Sequence, residues 1–317
     1  MAGRSLWFYL VALVLVVGAP LMTRAVDQNF VFYAGYTVLQ FVVLATAWNI
    51  LGGFTGYVNF GSAAFFAVGA YTTIALNKAL GLPLPLLIPI AGLVGGLIGL
   101  GAGYLTLRLR GVFFAIATLA LAVVLETLIT NWDYVGGASG AYVIPPASVP
   151  FFDNYIEALF CLMLLLAVVA VGIARYIARS KIGRGLAAIR DDEMAAEVMG
   201  VPTLRLKLIS TTLSGALLAI AGAPYPFYVT YVEPASAFNL TYAVNAIAMP
   251  MIGGTTTWFG PVIGALLLGV MQQWATVTIS SELNLLMVGV ILVGFVILAP
   301  QGIVGLFRKY VGGGGRR

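Results

Sequence analysis

The chain has 317 residues, 61% of them hydrophobic and 9% charged, with a mean hydropathy of +1.03, which excludes a soluble domain and defines a polytopic membrane protein. The net charge of +5 is no sign of nucleic-acid binding, because the basic residues flank apolar segments, where they orient helices in a bilayer. With no histidine and a single cysteine, Cys161, inside an apolar run, no internal disulfide can form and no metal site is expected.

About 20 apolar residues cross a bilayer core, so a chain of this length holds roughly eight to ten spans in one domain, residues 1–317. The first run, 7–21, follows Arg4; it also has the length of a signal-peptide core, but Thr23-Arg24-Ala25 is a poor cleavage site, and the run is read as span one. Spans two to five are expected at 32–51, 63–79, 84–105 and 112–129, the fourth ending at Arg108 and Arg110 and the fifth carrying Glu126. Residues 131–157 hold Asp133, Asp153 and Glu157 but no Lys or Arg, and read as an external loop. Span six is expected at 156–177. A polar island follows at 180–207, then span seven at 206–229, with Pro224 and Pro226 toward its outer end.

A short apolar segment, 241–252, precedes spans nine and ten at 262–279 and 285–299, and Arg308, Lys309, Arg316 and Arg317 come last. With ten crossings, every Lys and Arg except Arg24 and Lys78 falls on the cytoplasmic side, together with the island and both termini. The expected fold is an all-α polytopic membrane protein of about ten transmembrane or partly embedded helices, with a short cytoplasmic helix. An eight-span arrangement stays open, since 241–252 suits a half-helix or re-entrant element.

Within the island, Asp191 and Asp192 stand where an N-cap and first turn belong, and Gly200 with Pro202 supplies a stop. Between them Met194 with Val198, and Ala195 with Met199, recur at four-residue spacing, while Glu193 and Glu197 share another face. Local pattern leaves two readings open: a solvated loop helix, or a docking helix whose methionines enter a partner's groove.

Two glycine-bearing links repeat an outline: LGGFTGYVNFG at 51–61 and IGGTTTWFG at 252–260. Irregular backbone at membrane depth is tolerated beside a cavity or inside protein, and uncharged hydrogen-bonding groups suit a solute path. Thr55, Tyr57, Asn59, Phe60, Ser62, Thr255, Thr256, Thr257 and Trp258 are therefore candidate pathway residues; the alternative is helix packing through small residues. No GxxxxGK[ST], GxSxG or HExxH motif and no paired carboxylates occur, so neither ATP hydrolysis nor other catalysis is expected on this chain. Glu126 is the single clear acid within a span, a thin basis for an ion-coupled carrier; a passive channel for a small solute is a further alternative.

The segments GFTGYVNFGSAAFFAVGAY (53–71), LRLRGVFFAIATLA (107–120), NWDYVGGASG (131–140), GRGLAAIRDDEMAAEVMGV (183–201) and MIGGTTTWFGPVIGALLLG (251–269) together resemble the permeases of branched-chain amino acid ABC importers, of the LivM-like type. The resemblance implies a subunit of the bacterial inner membrane with a second permease, identical or different, beside it. It also implies two cytosolic ATPases that carry the ATP-Mg, and a periplasmic binding protein that delivers the solute. Residues 191–200 match that family's coupling loop, which makes Arg190, Asp191, Asp192, Glu193, Met194, Glu197, Val198, Met199 and Gly200 the expected ATPase-coupling set. The resemblance implies a branched-chain amino acid as cargo; where the family's first motif often has histidine, this chain has Ser62, which widens the expected cargo to a related amide, urea or small organic acid.

Overall fold

The computed structural model describes residues 2–25, 29–106, 109, 111–146, 149, 152–278, 286, 289–290, 293–294 and 302–306. Uninterrupted apolar runs become helices, and the glycines and prolines between them become their ends. The long helices are α1 (Ala2–Ala25), α2 (Asn29–Thr55), α3 (Ser62–Leu80), α4 (Leu84–Thr106) and α5 (Val112–Thr130). Then come β1 (Ala141–Tyr142) and α6 (Tyr155–Arg179), the island helices α7 (Lys181–Asp191) and α8 (Glu193–Val198), and α9 (Thr203–Gly222). The chain continues through α10 (Tyr225–Val229), β2 (Tyr231–Val232), α11 (Pro234–Ala237), α12 (Leu240–Gly253) and α13 (Gly260–Thr278).

Among the described residues six helical stretches are long and apolar enough to cross a bilayer: α2 to α6, and Thr203–Val229. Every expected span through the ninth is helical; the tenth, 285–299, lies largely outside the described residues. Span seven is not the single helix expected. Proline has no N–H and its ring clashes with the carbonyl four residues back, so α9 stops at Gly222 and α10 restarts behind Pro224. At 14 residues α12 rises about 21 Å, well short of a bilayer core of about 30 Å, in keeping with the short apolar segment expected at 241–252.

The two ends of the bundle are distinguished by their contacts. At one, β1 pairs antiparallel with β2, Lys78 Nζ donates to the Tyr134 carbonyl at 2.8 Å, and Asn154 donates to Asn29 at 3.2 Å. The 131–157 loop therefore sits with the C-terminal ends of α3, α5 and α10. The island lies at the other end of α6, beside the C-terminal end of α2 and the start of α9. Lys78, one of the two basic residues that charge counting left outside, is at the loop end, opposite the island.

α2 is the hub: every residue from Gln40 to Thr55 is buried, among α6, α9, α12 and α13. α4 and α9 meet along a seam of small residues, where a Cβ on Gly95 would stand 2.7 Å from the Gly215 carbonyl and one on Gly99 2.9 Å from that of Thr211. α5 is the opposite of α2, for only Phe114 and Thr118 along it are buried.

Candidate functional site

The island folds as two helices, where sequence spacing suggested one. Ser180 caps α7, its Oγ accepting from the Gly183 N–H at 3.3 Å, and Leu186 and Ile189 turn into the protein. Asp191 is the last residue of α7 and not part of the next helix's first turn; its carboxylate meets the Arg190 guanidinium at 3.1 Å on the surface, where such a pair contributes little. Asp192 is extended and caps α8, its Oδ1 accepting from the Ala195 N–H at 3.0 Å. Gly200, in the left-handed region at φ +82°, ends that turn with its N–H on the Glu197 carbonyl at 2.9 Å. The Glu197 carboxylate accepts from the Thr203 hydroxyl at 2.7 Å, which ties α8 to the start of α9.

α8 is inverted relative to a solvated loop helix. Its large apolar side chains stand outward, with Met194, Val198 and Met199 60%, 86% and 82% exposed, while Glu193 points inward. There its carboxylate accepts from Lys207 Nζ at 2.6 Å and from the Tyr57 hydroxyl at 2.5 Å. Lys207 Nζ also donates to Tyr57 Oη at 3.3 Å and lies 4.9 Å from that ring's centre. The Lys207 and Glu193 side chains are 4% and 13% exposed, so removing either leaves a desolvated charge behind.

Link one is packed at most positions, Gly56 and Val58 being exposed. Thr55 closes the last turn of α2 through the Leu51 carbonyl, Gly56 lies against Arg190, and the Trp48 indole donates to the Asn59 carbonyl at 2.9 Å. Asn59 Oδ1 accepts from the Gly61 N–H at 2.8 Å, and the Phe60 N–H donates to Thr118 Oγ1 of α5 at 3.1 Å. Ser62 is buried at the head of α3 with no hydrogen-bond partner for its hydroxyl among the described residues. In link two Thr257 is buried and Thr255 and Trp258 are partly so, while Thr256 is exposed. Thr257 Oγ1 accepts from the Gly260 N–H at 3.1 Å, and the Arg175 guanidinium lies 5.3 Å from the centre of the Trp258 ring.

The fold brings the two links together. A Cβ on Gly53 would stand 2.6 Å from the Thr255 carbonyl, and Asn49 Nδ2 reaches the Thr257 carbonyl at 3.5 Å. Island, link one and link two thus meet around the last two turns of α2.

Two residues at this meeting point escaped sequence reasoning, Lys207 and Arg175. Both look like membrane-flanking charges, and both are buried. Neither has a local signal, because the acid and the aromatic rings that receive them come from other elements. Glu126 sits one turn before the end of α5, at the loop end and partly exposed. No group of His, Cys, Asp and Glu that could hold a metal ion exists among the described residues.

Fold and composition define the class, an all-α polytopic membrane protein whose helices meet a polar island at one end. Within that class the chain belongs to the family described as branched-chain amino acid transport system / permease component, whose model matches residues 30–296. It is a permease subunit of an ABC importer. It is 29% identical to the high-affinity branched-chain amino acid transport permease LivM of Escherichia coli, over 95% of this chain and 75% of that one. It is also 26% identical to the probable LivH permease of Methanocaldococcus jannaschii, over 84% and 89% of the two chains. The fructose import permease FruG of Bifidobacterium longum is 25% identical, over 84% of each. No solved structure matches the chain significantly.

Proposed function

We propose that this chain, as one membrane domain spanning residues 1–317, carries branched-chain amino acids or a related small polar solute across the bacterial inner membrane. In this reading two cytosolic ABC ATPases bear the ATP-Mg, this chain needs no cofactor, a second permease shares the pathway, and a periplasmic binding protein loads it from the loop end. Both termini and the island face the cytosol. The cargo is drawn from LivM and LivH; FruG lies in the same family, and Ser62 replaces a histidine frequent in it, so a neighbouring solute class is the runner-up.

The observation that carries the reading is the inverted face of α8. Burying three large apolar side chains is worth about 1.5–3 kcal/mol each, yet Met194, Val198 and Met199 are held out on a capped turn of helix whose first charged residue, Glu193, is turned inside. A groove on an ATPase is the occupant that such a helix suits, with Arg190, Asp191, Asp192, Glu197 and Gly200 framing the contact. The links are read as the pathway's floor, Ser62 and Thr255–257 offering uncharged hydrogen-bonding groups. Glu126, at the loop end of the least covered helix, gives an ion-coupled carrier no buried relay.

The test replaces Met194 and Val198 with Asp. A carboxylate buried in an apolar groove costs more than 1.4 kcal/mol, so the ATPase recovered with the permease is expected to fall by at least about tenfold, and substrate-stimulated ATP hydrolysis with it. Full recovery and full stimulation would remove α8 from the contact.

A further inference from the structure

Link one holds together elements that sequence order keeps far apart, α5 on one side and the successive helices α8 and α9 on the other. Tyr57, Glu193 and Lys207 supply one side chain each from link one, α8 and α9, and close a triangle at 2.5, 2.6 and 3.3 Å. The far side of link one is fastened to α5. The Tyr57 ring meets Phe114 edge-on, with centroids 5.1 Å apart, and the Phe60 N–H reaches Thr118 Oγ1 at 3.1 Å. Gly61 lies so close that a Cβ there would stand 2.7 Å from the Thr118 carbonyl. Phe114 and Thr118 are also the only fully buried residues of α5, while Leu121, Ala122, Leu125 and Ile129 pack on the core in part, so the most enclosed side chains of this helix are those that touch link one.

We infer that Tyr57, Glu193 and Lys207 form the joint through which movement of α8 is passed to α5 and α9, which makes Glu193 and Tyr57 positioning residues. The inference rests on α8 being the ATPase-docking helix. A buried ion pair is rarely kept for stability, since a well-packed apolar trio of the same volume does as well or better; what it supplies is one fixed, directional geometry between elements. The end of α2 next to link one cannot follow α8, because residues 40–55 are all buried and close-packed interiors do not deform continuously. Gly56, at φ +80°, separates α2 from Tyr57 and lets link one turn against that fixed hub. α5 is far less enclosed, resting on α3, α4 and α11 through partly buried side chains, and moves with the link.

The experiment uses the full chain bound to its ATPase partners in lipid nanodiscs, with Cys161→Ser and spin labels at Leu97→Cys on α4 and Val124→Cys on α5, both exposed. Trapping the ATPases with ATP and vanadate is expected to shift the α4–α5 distance by several ångströms in the otherwise native chain. In Tyr57→Phe and Glu193→Gln the shift is expected to be lost, and in Tyr57→Phe, whose residue lies outside the expected coupling set, the amount of bound ATPase is expected to be unchanged, an outcome a merely structural role would not produce. An intact shift in Tyr57→Phe, no shift in the native complex, or loss of bound ATPase from Tyr57→Phe would each overturn the joint. Should Glu193→Gln fail to accumulate, Tyr57→Phe, which deletes one oxygen, decides alone. Failure of the docking reading itself shows separately, as ATPase retained by the Met194 and Val198 variants.

Discussion

Links one and two share more than their outline, and the comparison shows how one local device serves two attachments. In each, a polar side chain accepts from the N–H of the glycine at the head of the next helix, Asn59 for Gly61 and Thr257 for Gly260. In each, a basic side chain from a neighbouring helix lies on an aromatic ring, Lys207 on Tyr57 and Arg175 on Trp258. They differ in what they are tied to. Link one is closed by a carboxylate from the island and fastened to α5, while link two leans on α6 and, through Gly254, on Gly302 of the 302–306 helix. The short sequence echo therefore reports a common way of starting a helix over a packed glycine turn. It does not report a common partner.

The largest expected break between the links is Lys207→Met. It strands the Glu193 carboxylate in a desolvated seat and is expected to cost about 3–5 kcal/mol, read as a lowered unfolding temperature of the detergent-solubilised chain. The double variant Lys207→Met, Glu193→Leu is expected to recover most of that loss; equal losses in single and double would show that packing, and not charge, holds link one. Trp258→Leu, the corresponding cut in link two, is expected to cost about 1–2 kcal/mol, the worth of a partly desolvated cation on a ring. A loss larger than that of Lys207→Met would reverse the comparison. Smallest are Asn59→Ala and Thr257→Ala, each leaving one glycine N–H without its acceptor, at about 1 kcal/mol apiece. The two should agree within about 0.5 kcal/mol if the device is the same in both links.

Much of this was legible before any coordinates. The apolar runs bounded by Gly81, Pro83, Gly111 and the island mark the spans to within a few residues, because a helix in a bilayer must satisfy its own backbone and therefore runs the full apolar length. Asp192 and Gly200 mark the ends of α8 by their own chemistry. α7 was not legible: Gly183, Gly185 and its charges argue against a helix, and it forms because Leu186 and Ile189 find burial at the end of α2 and the start of α9. The split of the seventh span is signalled by Pro224, whose missing N–H ends α9. Spacing also put Glu193 and Glu197 on a common polar face, yet one is turned inward to Lys207 and the other stays at the surface beside Thr203.

By itself the sequence determined that this is a membrane protein, where most of its helices run, and which family it joins, since these depend on hydrophobic length and short motifs. Only the tertiary structure decided that α2 is enclosed from residue 40 onward while the still more apolar α5 stands largely open, and that two apparent flanking charges, Lys207 and Arg175, are interior. The physical reason is that burial and charge pairing belong to pairs of elements distant along the chain. In a segment apolar on every face, no periodicity marks which side another helix will cover.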